Sequence, residues 1–126
     1  MILSEDAGVL YVSERGRNRI ISLEIDDEGT LENQQVFVDL PDEGSAECLL
    51  FDAQGQLYAS IPGQGVCVID PEGKTVATLD LPGTAVAGMA FGGLEFDKLF
   101  ICEGEAVYHV DLDVPGQRPF AGPRSV

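Results

Sequence analysis

Side chains able to do nucleophilic or acid–base work are few and scattered. The three cysteines, Cys48, Cys67 and Cys102, lie far apart without CxxC spacing, and the one histidine is His109. A cysteine nucleophile needs a nearby base, and His109 sits in a strand far along the chain from Cys48. Cys67 and Cys102 alternate with valine, isoleucine and phenylalanine and read as core, whereas His109 reads as a surface strand residue. Carboxylates are plentiful, with 22 Asp and Glu against 7 Lys and Arg. A carboxylate can ligate a hard cation or take a proton from water. Asp26, Asp52, Asp70 and Asp111 close hairpins, however, and capping their own turns accounts for them without chemistry. No phosphate-cradling glycine loop and no His/Cys metal constellation is present.

The elements that position these residues repeat. Leu10-Tyr11-Val12, Leu57-Tyr58-Ala59 and Leu99-Phe100-Ile101 are equivalent points 47 and 42 residues apart, and the closing Asp26, Asp70 and Asp111 follow at spacings of 44 and 41. A period of about 40–50 residues built from short strands is the mark of β-propeller blades. Helical periodicity is absent. Runs rich in β-branched and aromatic residues predict strands at 8–13, 19–25 and 35–40, then 48–51, 56–60, 65–69 and 75–81, then 88–91, 98–102 and 106–112. Asp27-Glu28-Gly29, Asp52-Ala53-Gln54-Gly55, Pro62-Gly63-Gln64-Gly65 and Asp70-Pro71-Glu72-Gly73 supply the turns between them. The second unit makes a complete four-stranded blade. The first has Met1–Leu3 as its innermost strand. The third lacks a clear fourth strand, because Val114–Pro119 is too proline-rich for a central ladder position.

A chain of 126 residues with 44% hydrophobic content makes one domain with a packed core. A net charge of −15 excludes nucleic acid and anionic membrane surfaces as partners. Arg15, Arg17 and Arg19 alternate, which predicts one solvated strand face. The odd cysteine count and the absence of a signal peptide or apolar span predict a soluble cytoplasmic protein.

Leu10–Glu14, Asn18–Asp26 and Val36–Pro41 resemble the SMP-30/gluconolactonase/LRE-like family. The resemblance continues through Leu49–Ala59, Gly65–Lys74, Met89–Gly93 and Val114–Pro119, in order and with matching spacing. It covers nearly the whole chain and corresponds to the C-terminal half of the family's six-bladed propeller. It implies lactone hydrolysis with one divalent metal, most often calcium, at the mouth of the central channel. The family's ligands are a Glu near the N-terminus, an Asn or two at the starts of middle blades, and an Asp in a Pro-Asp-Gly motif that doubles as general base. That motif falls on Ala46-Glu47-Cys48, so Glu47 is the implied metal ligand and catalytic carboxylate. Glu14 and Cys48 lie close enough to the implied mouth to support it. The N-terminal Glu has no counterpart, and the Asn-Gly position falls just before Met1.

The expected architecture is therefore all-β: a propeller arc of three blades, about 1–41, 45–82 and 86–122. An arc leaves apolar faces bare at both ends, so a homodimer is expected to complete a six-bladed ring, with Val114–Val126 available to fill the third blade in trans. The expected activity is metal-dependent hydrolysis of a small lactone at a depleted site. The rival readings are a non-catalytic propeller binding module and an N-terminally truncated fragment of a full lactonase.

Overall fold

The computed structural model describes residues 1–40, 45–81 and 86–118. Eleven strands follow in chain order: β1 (Ile2–Leu3), β2 (Val9–Glu14), β3 (Arg19–Ile25), β4 (Leu31–Asp39), β5 (Leu49–Phe51), β6 (Leu57–Ile61), β7 (Gly65–Ile69), β8 (Thr75–Leu79), β9 (Val86–Gly92), β10 (Lys98–Glu103) and β11 (Ala106–Asp111). They form three antiparallel sheets ordered β1-β2-β3-β4, β5-β6-β7-β8 and β9-β10-β11. The first strand of each sheet neighbours that of the next, so β1, β5 and β9 are innermost. Among the described residues no helix is long and apolar enough to cross a membrane.

Local chemistry sets the strand ends. Asp26 Oδ1 accepts the backbone N–H groups of Glu28 and Thr30, and Asp70 Oδ1 those of Glu72 and Lys74. Asp52 does the same for Gln54 and Gln56. These are the turn caps expected from sequence. Asp111 differs: its carboxylate receives Lys98 Nζ at 2.8 Å across the β10–β11 ladder. At Gly65 the backbone φ of +81° and the approach of the Leu79 carbonyl, 2.2 Å from where a Cβ would stand, both demand glycine.

Two apolar clusters hold the sheets together. Ile20, Tyr11 and Phe37 of the first sheet pack on Leu49, Phe51, Leu57, Ala59, Ile61, Cys67 and Ile69 of the second. Tyr58, Val66 and Val68, on the second sheet's other face, pack on Leu99 and Ile101 of the third. Near-continuous apolar runs along β6 and β7, whose successive side chains point to opposite faces, let the middle sheet bury both faces.

Two further expectations need correction. Arg15, Arg17 and Arg19 do not share a strand face, because Arg15–Arg17 is a 3₁₀ turn ending at left-handed Asn18. Cys67 is buried as expected, but Cys102 is exposed. It lies on the side of β10 away from Leu99 and Ile101, and among the described residues that side meets no neighbouring sheet. His109 is exposed, as expected.

Of the Val114–Pro119 stretch, the described residues Val114–Arg118 add no strand to the third sheet. Instead, their backbone straps the far ends of the inner strands. Pro115 O accepts Ala53 N–H at 2.8 Å, Gly116 N–H reaches Phe96 O at 2.8 Å, and Gln117 N–H reaches Phe51 O at 2.9 Å. The proposed closure by Val114–Val126 in trans falls largely on residues 119–126, outside the described residues.

Candidate functional site

Glu47 stands two residues before β5, and its backbone is tied from both sides. Its N–H donates to Ser60 O at 2.9 Å, while Cys48 N–H donates to Ser60 Oγ at 2.9 Å. One residue earlier, Ala46 O accepts the hydroxyl of Ser13 from the first sheet at 2.8 Å. Ser13 and Ser60 hold the same place in the repeat, so one structural position anchors the segment from each side.

The Glu47 side chain, 36% exposed, is paired with Arg15, and the pairing pushes the Arg15 guanidinium above its ordinary range through the hydrogen bond and the nearby charge. Ser45 Oγ donates to Arg15 O, which fastens the two segments together. Glu14, next in sequence to Arg15, is held by Arg19 Nε and Nη2 at 3.1 and 3.2 Å, with Arg17 Nε at 3.7 Å. Three ion pairs on two carboxylates therefore sit at the same end of the first and second sheets. Cys48 is half-buried. The structure thus brings Glu47 and Glu14 to a shared arginine-bearing turn and places Cys48 beside Glu47.

Arg15 was not legible as a partner of Glu47, because 32 residues separate them and only sheet packing joins them. Glu103 was missed as well. It occupies the position of Glu14 in the third repeat, yet it is 7% exposed and its Oε2 has no hydrogen-bond partner among the described residues.

Among the described residues no group of three or more His, Cys, Asp or Glu side chains converges on one point. A calcium ion takes six to eight oxygens. A single carboxylate, already ion-paired, falls short, so these residues alone do not fit a resident calcium.

A separate cleft of about 830 Å³ lies between the inner strands. Its walls include Leu3, Leu50, Phe51, Met89, Phe91 and Phe96. They come from the end of β5 opposite to Glu47, so the apolar cleft and the carboxylate occupy opposite ends of the inner strands.

Comparison with known proteins agrees with this geometry. The family model described as SMP-30/Gluconolactonase/LRE-like region matches residues 1–104. An uncharacterized protein of Sulfolobus acidocaldarius is 31% identical over 123 residues, 90% of this chain and 45% of its own length. A gluconolactonase from Xanthomonas campestris superimposes with a TM-score of 0.74 at 30% identity, over 90% of this chain and 36% of that one. A calcium-binding regucalcin from Agrobacterium tumefaciens shares the fold at a TM-score of 0.77 and 20% identity, over 94% of this chain and 46% of that one. The chain thus spans less than half the length of these relatives. Three consecutive antiparallel sheets, the inner-strand order and the match over 1–104 make this chain a propeller-type member of the SMP-30/gluconolactonase/LRE-like family.

Proposed function

We propose that this chain serves lactone hydrolysis, with Glu47 as the carboxylate that activates water. The observation that carries the reading is a part-exposed carboxylate fixed at the head of an inner strand, in a family whose Xanthomonas campestris member is a gluconolactonase. In this reaction Glu47 takes a proton from water as the water oxygen bonds to the lactone carbonyl carbon. The tetrahedral adduct then collapses, the ring C–O bond breaks, and the alkoxide takes up the proton to give an open hydroxy acid. Arg15 fixes where the Glu47 carboxylate lies. A divalent cation, calcium by family resemblance, would draw its remaining ligands from outside the described residues, and no step here is routed through it.

The test is base uptake in a pH-stat on an aldonic δ-lactone, with and without added calcium. Glu47→Gln is expected to slow hydrolysis by about 100-fold or more, the usual contribution of a positioned general base. An unchanged rate would remove Glu47 from the mechanism. Absence of hydrolysis under both conditions would favour the second reading, a non-catalytic binding module. The Arg15–Glu47 pair supports that alternative, since it neutralises the carboxylate.

A further inference from the structure

The contacts between sheets follow one rule that is used twice within the chain and left open at both ends. In register, Leu10 pairs with Leu3, Leu57 with Phe51 and Leu99 with Phe91. The aromatic residue after each leucine reaches the next sheet's inner strand. Tyr11 meets Phe51 edge-on at 5.0 Å between ring centroids, and Tyr58 meets Phe91 at 5.6 Å. Phe100 is the third member of that set; among the described residues no further sheet faces it, and it is 38% exposed. Leu3 is the matching member of the receiving set; among the described residues no other sheet faces it from outside, and it is 41% exposed.

Neighbouring positions repeat the pattern. On the second sheet Val66 pairs with Ser60 and is fully buried, whereas its counterpart Val107, paired with Cys102, is 69% exposed. On the receiving side Leu57 and Leu99 are fully buried, but the equivalent Leu10 is only half-buried. The two bare faces are therefore the two halves of an interface that the chain already builds internally, and both belong to every copy.

We propose that a second copy of this chain covers them: the third sheet of each subunit packs on the first sheet of the other, with Phe100 against Leu3 of the partner subunit. A head-to-tail contact made twice about a twofold axis closes a ring and leaves no bare face, whereas one made without closure would polymerise. Two copies also supply about the chain length of the relatives, of which one copy spans 45% in the Sulfolobus acidocaldarius protein. The inner strands β1, β5 and β9 of both copies then wall one channel. The proposal stands on the fold and does not depend on lactone hydrolysis.

Absolute mass from light scattering behind a sizing column tests it, since this reading is independent of activity. The expected mass is twice 13.4 kDa, falling to 13.4 kDa in Phe100→Asp with the far-ultraviolet β signal retained. Leu94→Asp, at a fully exposed position away from both faces, is expected to leave the dimer intact. A second variant set guards against misfolding. With Cys102→Ser removing the exposed thiol, Leu3→Cys with Phe100→Cys is expected to give a disulfide-linked pair under mild oxidation. Wild type that stays monomeric at tens of micromolar overturns the proposal, as do open polymers. A dimer that survives Phe100→Asp and forms no cross-link also overturns it.

Discussion

Tyr58 and Cys67 are side chains whose protonation the fold controls. Burial, the nearby Asp52 charge and the hydrogen bond of Tyr58 Oη to Asp52 Oδ2 at 3.2 Å hold the phenol well above its ordinary value of 10.0. Burial likewise lifts the Cys67 thiol above 9.0 and the Tyr11 phenol above 10.0. Each group stays neutral in the folded chain at a pH where the unfolded chain has already ionised. Stability from these groups is thus fully present below about pH 9 and declines as pH rises past 9 to 10, the direction set by proton linkage. Thermal melts between pH 7 and 11 should show a falling midpoint over that range, and Tyr58→Phe should shallow the fall. Glu103 is a buried carboxylate whose Oε2 has no hydrogen-bond partner among the described residues. Glu103→Met keeps the volume and removes the charge, so urea denaturation should show a gain of about 1 kcal/mol. A loss would reveal a function that requires the acid.

Strands and turns were largely readable. Runs of branched and aromatic residues bounded by turn residues located β3, β7 and β10 to within a residue, because such side chains fit a pleated sheet surface. Boundaries drifted where the pattern is polar: β4 begins at Leu31, since ladder hydrogen bonds to β3 carry Glu32 and Gln35 into the sheet despite their side chains. The Arg15–Arg17 turn escaped because Gly16 and left-handed Asn18 bend the chain within an apparently alternating stretch. Turn glycines differ in what they bear. Gly65→Ala meets both a positive φ and the Leu79 carbonyl, so it should cost roughly 2–4 kcal/mol in chemical denaturation. Gly29→Ala has the same positive φ but open space, and should cost about 1 kcal/mol.

At the scale of the molecule, the proposed dimer would bury otherwise bare sheet faces and so link folding to assembly. The melting temperature should therefore rise with protein concentration, and Phe100→Asp should abolish that dependence. Scanning calorimetry over a hundredfold concentration range reads this directly, and a flat wild-type response would speak against coupled assembly. Sequence by itself settled the repeat, the turns closed by Asp26, Asp52 and Asp70, and the family, each written in local spacing or in residue order; Glu47 became a candidate only through the family resemblance. Tertiary structure alone decided that Arg15 holds Glu47, that Glu103 turns inward and that Cys102 turns outward. Period-two alternation sorts a strand's residues into two faces. Which face meets another sheet depends on neighbours brought together from tens of residues away, and that packing carries no local signal in the chain.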